Sequence, residues 1–303
     1  MNGMREIFGA GGTWYKGNLH MHTLRSDGML PPQKAIGIYR DAGYDFLALT
    51  DHWVQSETRE GERPLLLSGC EWDTGNMADS PVFHIVGVGM ESKVALKASP
   101  SLPPQRIIDA ILAAGGVAIL AHPLWSVTDP ADCMGLRGLS GAEIYNSVSG
   151  LPWNGERADS STYIDIWASK GKCFGCMAAD DSHVYSGEQT RAFTMVKAEC
   201  LSAGAIKSAI RAGCFYASQG PRFESVRISE GAVEVECSPV ETIVFNSNTV
   251  WCGDRVFTGE RGRTEAVYQI KTTDRYVRVV LIDASGRKAW SSPIPLQKGL
   301  EAF

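Results

Sequence analysis

The chain has 303 residues, 44% of them hydrophobic, and a formal net charge of −5 at neutral pH. That length can bury an enzyme-sized core with room for one large domain and a small one, and the negative balance gives no general attraction to nucleic acid or to an anionic membrane surface. Residues 1–12 contain no long apolar segment, so neither a signal peptide nor a membrane span is expected, and the cytoplasm is the default location.

After this glycine-rich start, Asn18-Leu-His-Met-His-Thr23 presents a His-x-His pair. On an extended strand residues i and i+2 face the same side, so His20 and His22 can reach one ion. Residues 31–40 begin with prolines that suit a helix N-terminus. The apolar, strand-like run 46–50 stops at Asp51-His52, and the run 65–70 stops at Glu71. His84 is an exception, because it stands near the beginning of its run, 83–88, rather than at the end. Residues 104–114 read as a helix closed by Gly115-Gly116, and 117–121 as a strand stopping at His122. Glu143 has the same strand-end character in Gly141-Ala-Glu-Ile-Tyr-Asn146, with a supporting role expected. Two further helical stretches, 160–170 and 201–212, flank the run 173–179 that leads into Asp180-Asp181-Ser-His183. Beyond Gly220-Pro221 the pattern changes to short alternating runs at 225–229, 233–237, 242–245, 266–270 and 276–282, which read as a small β-rich module. The expected division is therefore 1–220 and 221–303, with no internal repeat or low-complexity tract.

The chemistry lies in the donors at these run ends: His20, His22, Asp27, His52, Glu71, His84, His122, Asp181 and His183, which include all six histidines of the chain. A single histidine after a strand is usually just a satisfied polar residue, but the ordered set points to metal. A closed structural site needs four ligands on one ion, so this many donors favour an open, multinuclear and catalytic centre. Imidazole mixed with carboxylate suits zinc, manganese or iron better than calcium or magnesium. Strands alternating with helices suggest βα units, whose catalytic groups gather at the C-terminal ends of strands. Asp51 and Asp180, next to proposed ligands, are equally suited to orienting an imidazole and to capping the following turn.

In this order the motifs resemble the polymerase and histidinol phosphatase (PHP) family of metal-dependent phosphoesterases. Asn18–Thr23 with Ser26-Asp27-Gly28 is similar to its first motif and Leu49-Thr-Asp-His52 to its second; Glu71, His84-Ile-Val-Gly87, Ala121-His-Pro123 and Asp181-Ser-His183 fill the remaining positions. The resemblance implies a distorted (β/α)7 TIM-like barrel, followed here by the small C-terminal β-rich domain, and two or three divalent ions of manganese, iron or zinc. It implies one ion on His20, His22, Glu71 and Asp181, a second on His84 and His122 with Glu71 bridging, and a third on Asp27, His52 and His183. The implied chemistry is hydrolysis of a small phosphate ester, nucleotides included, by a metal-bridging hydroxide, with Asp181, His183 and His52 the ligands assigned to catalysis. The segments 212–221, 276–280 and 289–293 resemble, less specifically, the C-terminal part of a carbaryl-hydrolase-type branch, which implies a β-sandwich-like appendage and admits a carbamate or carboxyl ester as substrate.

For a phosphate, the cationic candidates near the motifs are Lys16, Arg25, Arg191 and Arg222, since phosphate oxygens favour charge-assisted donors. The eight cysteines read as reduced, and Cys173-Phe-Gly-Cys176 lacks the second pair that a zinc site requires. A non-catalytic metal-binding or nucleic-acid-associated module is the remaining reading. No polymerase-sized partner domain or basic stripe supports it, and stable nucleic-acid binding is not expected.

Overall fold

The computed structural model describes residues 5–229, 231–259, 261–296 and 301–302. Among the described residues it is a mixed α/β protein in which five α-helices lie among several sheets. The four helices longer than one turn are Pro32–Asp41, Pro104–Ala113, Ser161–Ser169 and Ala203–Arg211, each within a few residues of its expected place. Pro104–Ala113 illustrates why they form: proline opens the helix, Ile107, Ile108 and Ile111 bury one stripe, and Gly115 at φ +77° ends it.

A five-stranded sheet runs in the spatial order Cys176–Ala179, Leu139–Asn146, Val117–Leu120, Ser80–Val88 and Gly69–Asn76. Three parallel strands, Thr13–Asn18, Phe46–Ala48 and Leu65–Leu67, form one edge of a ten-stranded sheet. The two sheets share the stretch 65–76. Leu65–Leu67 pairs with Phe46–Ala48, and after Ser68 the chain pairs with Ser80–Val88 instead. At the opposite side the amide of Asp181 donates to the His20 carbonyl at 2.9 Å, and that of His22 to the Ser182 carbonyl at 3.0 Å. Leu19, Phe46, Ala48, Leu65, Leu67, Val86, Val88, Val117, Ile119 and Met177 pack into one buried cluster, in which Val86 stands opposite Glu71 in the strand pairing. Gly17 has to be glycine here, because a Cβ would lie 2.0 Å from the Phe46 ring.

Uniform βα repetition does not hold. Ser80–Val88 is antiparallel to both its neighbours, reached by a tight turn in which Asn76 accepts from the amide of Ala78 at 2.9 Å. This reversal explains His84. On a strand running backwards, the start of the run lies level with the ends of the others, and the amide of Ala121 donates to the His84 carbonyl at 3.0 Å.

Among the described residues no α-helix follows Arg211, but the sheet itself does not stop at residue 220. Lys288–Trp290 pairs with Phe215–Ser218, which pairs with Phe193–Ala198 and so with Thr13–Asn18. The C-terminal strands thus extend the ten-stranded sheet. A four-stranded antiparallel sheet holding Phe223–Ile228, Ala232–Val240 and Arg263–Gln269 lies over it, its first member being the N-terminal Arg5–Glu6. Val226, Val233 and Val235 of that sheet pack with Ile243, Phe245, Val277 and Val279 of the other. Backbone hydrogen bonds therefore run across residue 221, where the composition changes. No helix among the described residues is long and apolar enough to cross a membrane.

Candidate metal centre

His20 and His22 follow directly on Thr13–Asn18, and Met21 between them is fully buried, so the two imidazoles turn to the opposite face together. Asn18 ties the two donor-bearing segments: its Nδ2 donates to the His20 carbonyl at 3.0 Å and its Oδ1 accepts from the Asp180 amide at 3.1 Å. The loop 23–28 then folds back closely enough that a Cβ on Gly28 would lie 2.4 Å from the His22 carbonyl carbon. This return brings Asp27 Oδ1 to 3.3 Å from His22 Nδ1.

The nine expected donors lie together. His20 Nε2, His22 Nε2, Glu71 Oε2 and Asp181 Oδ1 form a cage: the two nitrogens are 3.2 Å apart, His20 lies 3.2 Å from Glu71 and 3.1 Å from Asp181, and His22 lies 3.1 Å from each. An ion with bonds of about 2.0 to 2.1 Å sets tetrahedral ligands roughly 3.3 Å apart, close to the spacing of these five pairs. The other Glu71 oxygen faces His84 Nδ1 at 2.9 Å and His122 Nε2 at 3.4 Å. At the rim, Asp27 Oδ2 stands 3.4 Å from His183 Nε2 and 3.7 Å from His52 Nε2. Four overlapping donor groups result: His20, His22, Asp181; His20, Glu71, His122; His52, Glu71, His84; and His22, Asp27, His52, His183.

The residues fit divalent ions. Asp181 Oδ1 is buried without a hydrogen-bond partner although two imidazole nitrogens point at the same place, and an acceptor orphaned in that way is costly unless a cation meets it. The second nitrogen of His20 is committed: Nδ1 donates to Glu143 Oε1 at 2.8 Å, which leaves the Nε2 lone pair free for a metal. His183 is set likewise, Nδ1 donating to the Asp181 carbonyl at 2.8 Å. Two donors stand on left-handed backbone, His122 at φ 24° and Asp181 at φ 52°, conformations that a packed surround has to hold. Glu143 Oε2 supplies part of that hold, accepting from the His122 amide and from Asn146 Nδ2, both at 2.8 Å.

Charge follows from the same contacts. Burial opposes a proton on His20, yet Asp181, Glu71 and Glu143 raise its pKa well above the ordinary value; burial opposes one on His22 as well, and the neighbouring carboxylates of Asp181, Asp27 and Glu71 raise it well above in the same way. Burial likewise opposes ionisation of Glu71 and Asp181, but the imidazoles hold both carboxylates well below their usual range. The pocket is thus a set of anionic oxygens kept ionised, with protons on the nitrogens that a metal displaces.

Asp51 and Asp180 both organise loops. Asp51 accepts from the Thr23 amide at 2.7 Å and from the hydroxyls of Thr23 and Ser26. Asp180 accepts from Tyr39, Ser147 and the amides of Thr190, Arg191 and Ala192, while burial pushes its carboxyl up to about 6.

Three supporting residues went unread in the sequence. Asp73, 3.4 Å from His52 Nδ1, follows Glu71 by two residues, the very spacing used for His20 and His22. Asn146 donates to Asp181 Oδ2 at 3.1 Å. Glu188 is fully buried and gathers the amides of residues 183–186, which no local pattern announces.

The cationic candidates divide. Arg25 is exposed on the loop between His22 and Asp27, and Arg191 is exposed beside Gly187 in the loop after His183. Lys16, in the second half of strand Thr13–Asn18, instead lies over the Tyr44 ring at 3.9 Å and donates to the Ala42 carbonyl at 3.3 Å, and Arg222 stands 3.8 Å from Glu224 beside the C-terminal sheet. The contacts of both are elsewhere than the donors: the Lys16 ammonium is held at Tyr44 and Ala42, and Arg222 pairs with Glu224. All eight cysteines are free; burial pushes Cys173 up to about 11 and Cys176 up to about 12, which keeps both as inert thiols.

No family model and no curated protein matches the chain. Among solved structures, a two-domain protein from Bacteroides vulgatus, described as containing a predicted PHP-like metal-dependent phosphoesterase, is similar over 93% of this chain and 96% of its own, with 17% identity and a TM-score of 0.51. A protein from Bifidobacterium adolescentis assigned as a metal-dependent phosphoesterase covers 55% of this chain and 87% of its own, with 16% identity and a TM-score of 0.37. An amidohydrolase from Chromobacterium violaceum, with bound sulfate and no metal, covers 57% and 89%, with 15% identity and a TM-score of 0.39. The first shows that the chain shares that fold; the other two superpose too loosely to carry an argument.

Proposed function

We propose that this chain is a metal-dependent hydrolase of small phosphate esters, working at a centre of two or three divalent ions. The observation that carries the reading is that the Nε2 atoms of His20 and His22 both face Glu71 Oε2 and Asp181 Oδ1 at 3.1 to 3.2 Å, with that Asp181 oxygen buried and lacking a hydrogen-bond donor. The fold shared with a protein described as PHP-like supports it, as does the arrangement of strands 13–18, 46–48, 65–76, 80–88, 117–120, 139–146 and 176–179, which we read as a distorted (β/α)7 TIM-like barrel followed from residue 221 by a β-rich module.

In this reading His20, His22, Glu71 and Asp181 hold one ion, and Glu71 turns its other oxygen to a second position with His84 and His122. Asp27, His52 and His183 hold the third, at the solvent-facing rim where the side chains of His52 and His183 are each 24% exposed. Divalent ions there lower the pKa of a bound water and neutralise charge on phosphate oxygens. The protein's own part is to keep donor tautomers fixed through Glu143 and the Asp181 carbonyl, and to place His52, His183 and Asp181 where they and the ions they hold would stabilise the leaving group. Arg25 and Arg191, on loops leading to the donors, are the side chains suited to meet the ester from outside.

The test is a hydrolysis screen of the manganese-loaded protein with nucleoside monophosphates, generic phosphate mono- and diesters and one carbamate ester, beside a chelated control and the His22→Ala variant. Phosphate release that chelation and His22→Ala both abolish is the expected outcome. Turnover of the carbamate alone transfers the site to that ester class, and silence on every substrate with metal still bound leaves only a metal-binding role.

A further inference from the structure

One wall of the donor cluster continues outward into a groove of about 660 Å³, in the size range of small-molecule sites. The shared wall is Trp125. Its ring lies edge-on to the His122 imidazole, with centroids 4.9 Å apart at 79°, and edge-on to His84, 5.8 Å apart at 86°. The far end of the same indole donates from Nε1 to Asn154 Oδ1 at 3.2 Å, and Asn154 is in turn fixed by donating to the Val148 carbonyl at 2.8 Å. Trp125 is therefore a fixed partition between the metal positions and the loop 152–157.

The groove beyond it is lined by groups that water does not favour. Trp153 is 68% exposed, Met77 85% and Val127 63%, so three large apolar side chains from three separate segments stand in solvent at one place. Arg157 is the cation of the lining; its backbone is anchored by donation to the Ser149 carbonyl at 2.7 Å, and its guanidinium lies against Gly155. Elsewhere around the donors the loops are mixed, with Arg25, Ser26, Asp27 and Arg191 beside the exposed Leu24 and Met29 and no aromatic side chain among these. An apolar, aromatic side with one cation beside an anionic, metal-ready centre discriminates among phosphate esters by the part that is not phosphate.

Resting on the phosphoesterase reading, we infer that this groove is the seat of the substrate's organic group, and that the group is a flat aromatic ring placed against Trp153 and Trp125 with Arg157 at its edge. A planar ring gains from offset stacking on an indole what a saturated ring of equal size does not, because only the former presents a π face. Arg157 adds a preference for rings with an electron-rich face or an acidic substituent.

The experiment compares binding of 4-phenylbutylphosphonate and 4-cyclohexylbutylphosphonate to the manganese-loaded full chain by calorimetry. Neither has a hydrolysable ester bond, and the flexible chain lets the ring find its seat while the phosphonate stays at the metals. The phenyl compound is expected to bind about fivefold or more tightly than the cyclohexyl one, the range an aromatic pair supplies beyond its area. Trp153→Ala, at a position exposed enough not to unsettle the fold, should erase that difference and leave the affinity for inorganic phosphate unchanged. Equal affinities in the unaltered protein, or a preference that survives Trp153→Ala, overturns the inference. Because binding is read without turnover, failure here is distinct from failure of the phosphoesterase reading, which shows instead as absence of phosphate release in the hydrolysis screen.

Discussion

At the floor of the donor cluster His20, His22, Glu71 and Asp181 are 0%, 0%, 1% and 4% exposed, each carried by backbone that hydrogen-bonds to a neighbouring strand. At the rim the Asp27 side chain is 53% exposed and those of His52 and His183 are 24% exposed, on short loops that buried carboxylates fold from beneath. The same residue types therefore sit in two dielectric settings. A buried, preorganised donor set loses little to solvent screening and binds an ion firmly, whereas one open to water competes with hydration and exchanges its ion readily. Division of labour follows from that contrast: the floor is suited to retaining metal and the rim to admitting and releasing the ester.

The sharpest way to break the comparison is to remove one donor from each level. Asp181→Ala takes away the orphaned oxygen of the cage, and metal-dependent turnover should fall by more than about 100-fold, beyond the span that residues supporting a metal ligand produce. His183→Ala in parallel should lower the number of ions retained after dialysis while leaving the floor ion in place, read by elemental analysis. Loss of all metal from His183→Ala would erase the distinction between floor and rim.

A subtler probe leaves every donor present. Glu143→Gln keeps the size of the side chain but lets its amide nitrogen face His20 Nδ1, which turns the imidazole to the tautomer with its proton on Nε2, inside the cage. Metal affinity should fall about 10- to 100-fold, as for other partners that fix a ligating histidine. An unchanged affinity in a competition titration would show that the hydrogen bond at 2.8 Å does not set the tautomer.

How much of this the sequence could carry depends on whether the signal is local. Strand runs ending just before His52, His122 and Asp181, and helices opened by Pro32 and Pro104, are legible because period, run length and proline position lie within a dozen residues, whereas the run expected to stop at Glu71 breaks at Ser68 and Glu71 lies inside the next strand, Gly69–Asn76. His84 looked misplaced only because strand direction is invisible in one segment: pairing with 69–76 and 117–120 reverses it and returns the imidazole to the shared end. The sheet that crosses residue 220 is hidden for the same reason, since Ala217 meets Trp290 across a long stretch of chain. Arg222 was drawn by nearness in sequence to the motifs, whereas the chain turns away into another sheet before reaching it. Asp73 is legible from its two-residue spacing to Glu71; Glu188 is not, because four amides converging on one carboxylate is a property of the folded loop.

The last effect is one of pH and separates the floor from a simple surface site. In the ion-free protein the carboxylates hold protons on His20 and His22 above the usual imidazole range, against the burial that opposes them. A metal binds the deprotonated nitrogens, so binding releases these protons, and in the pH range below their raised pKa values affinity increases as pH rises. The sign is fixed by the direction of the shifts: imidazoles with lowered pKa would already be free of protons near neutrality and give a flat response. Each proton released corresponds to about a tenfold change in affinity per pH unit. Manganese affinity should therefore climb by about that factor or more per unit from mildly acidic to neutral pH, with proton release visible as a dependence of the calorimetric heat on the buffer's ionisation enthalpy. The carboxylates add nothing to this slope, because Glu71 and Asp181 are held ionised far below that range. A flat profile with no buffer dependence would mean that His20 and His22 are neutral before the ion arrives, and that the cage is set by hydrogen bonds rather than by charge.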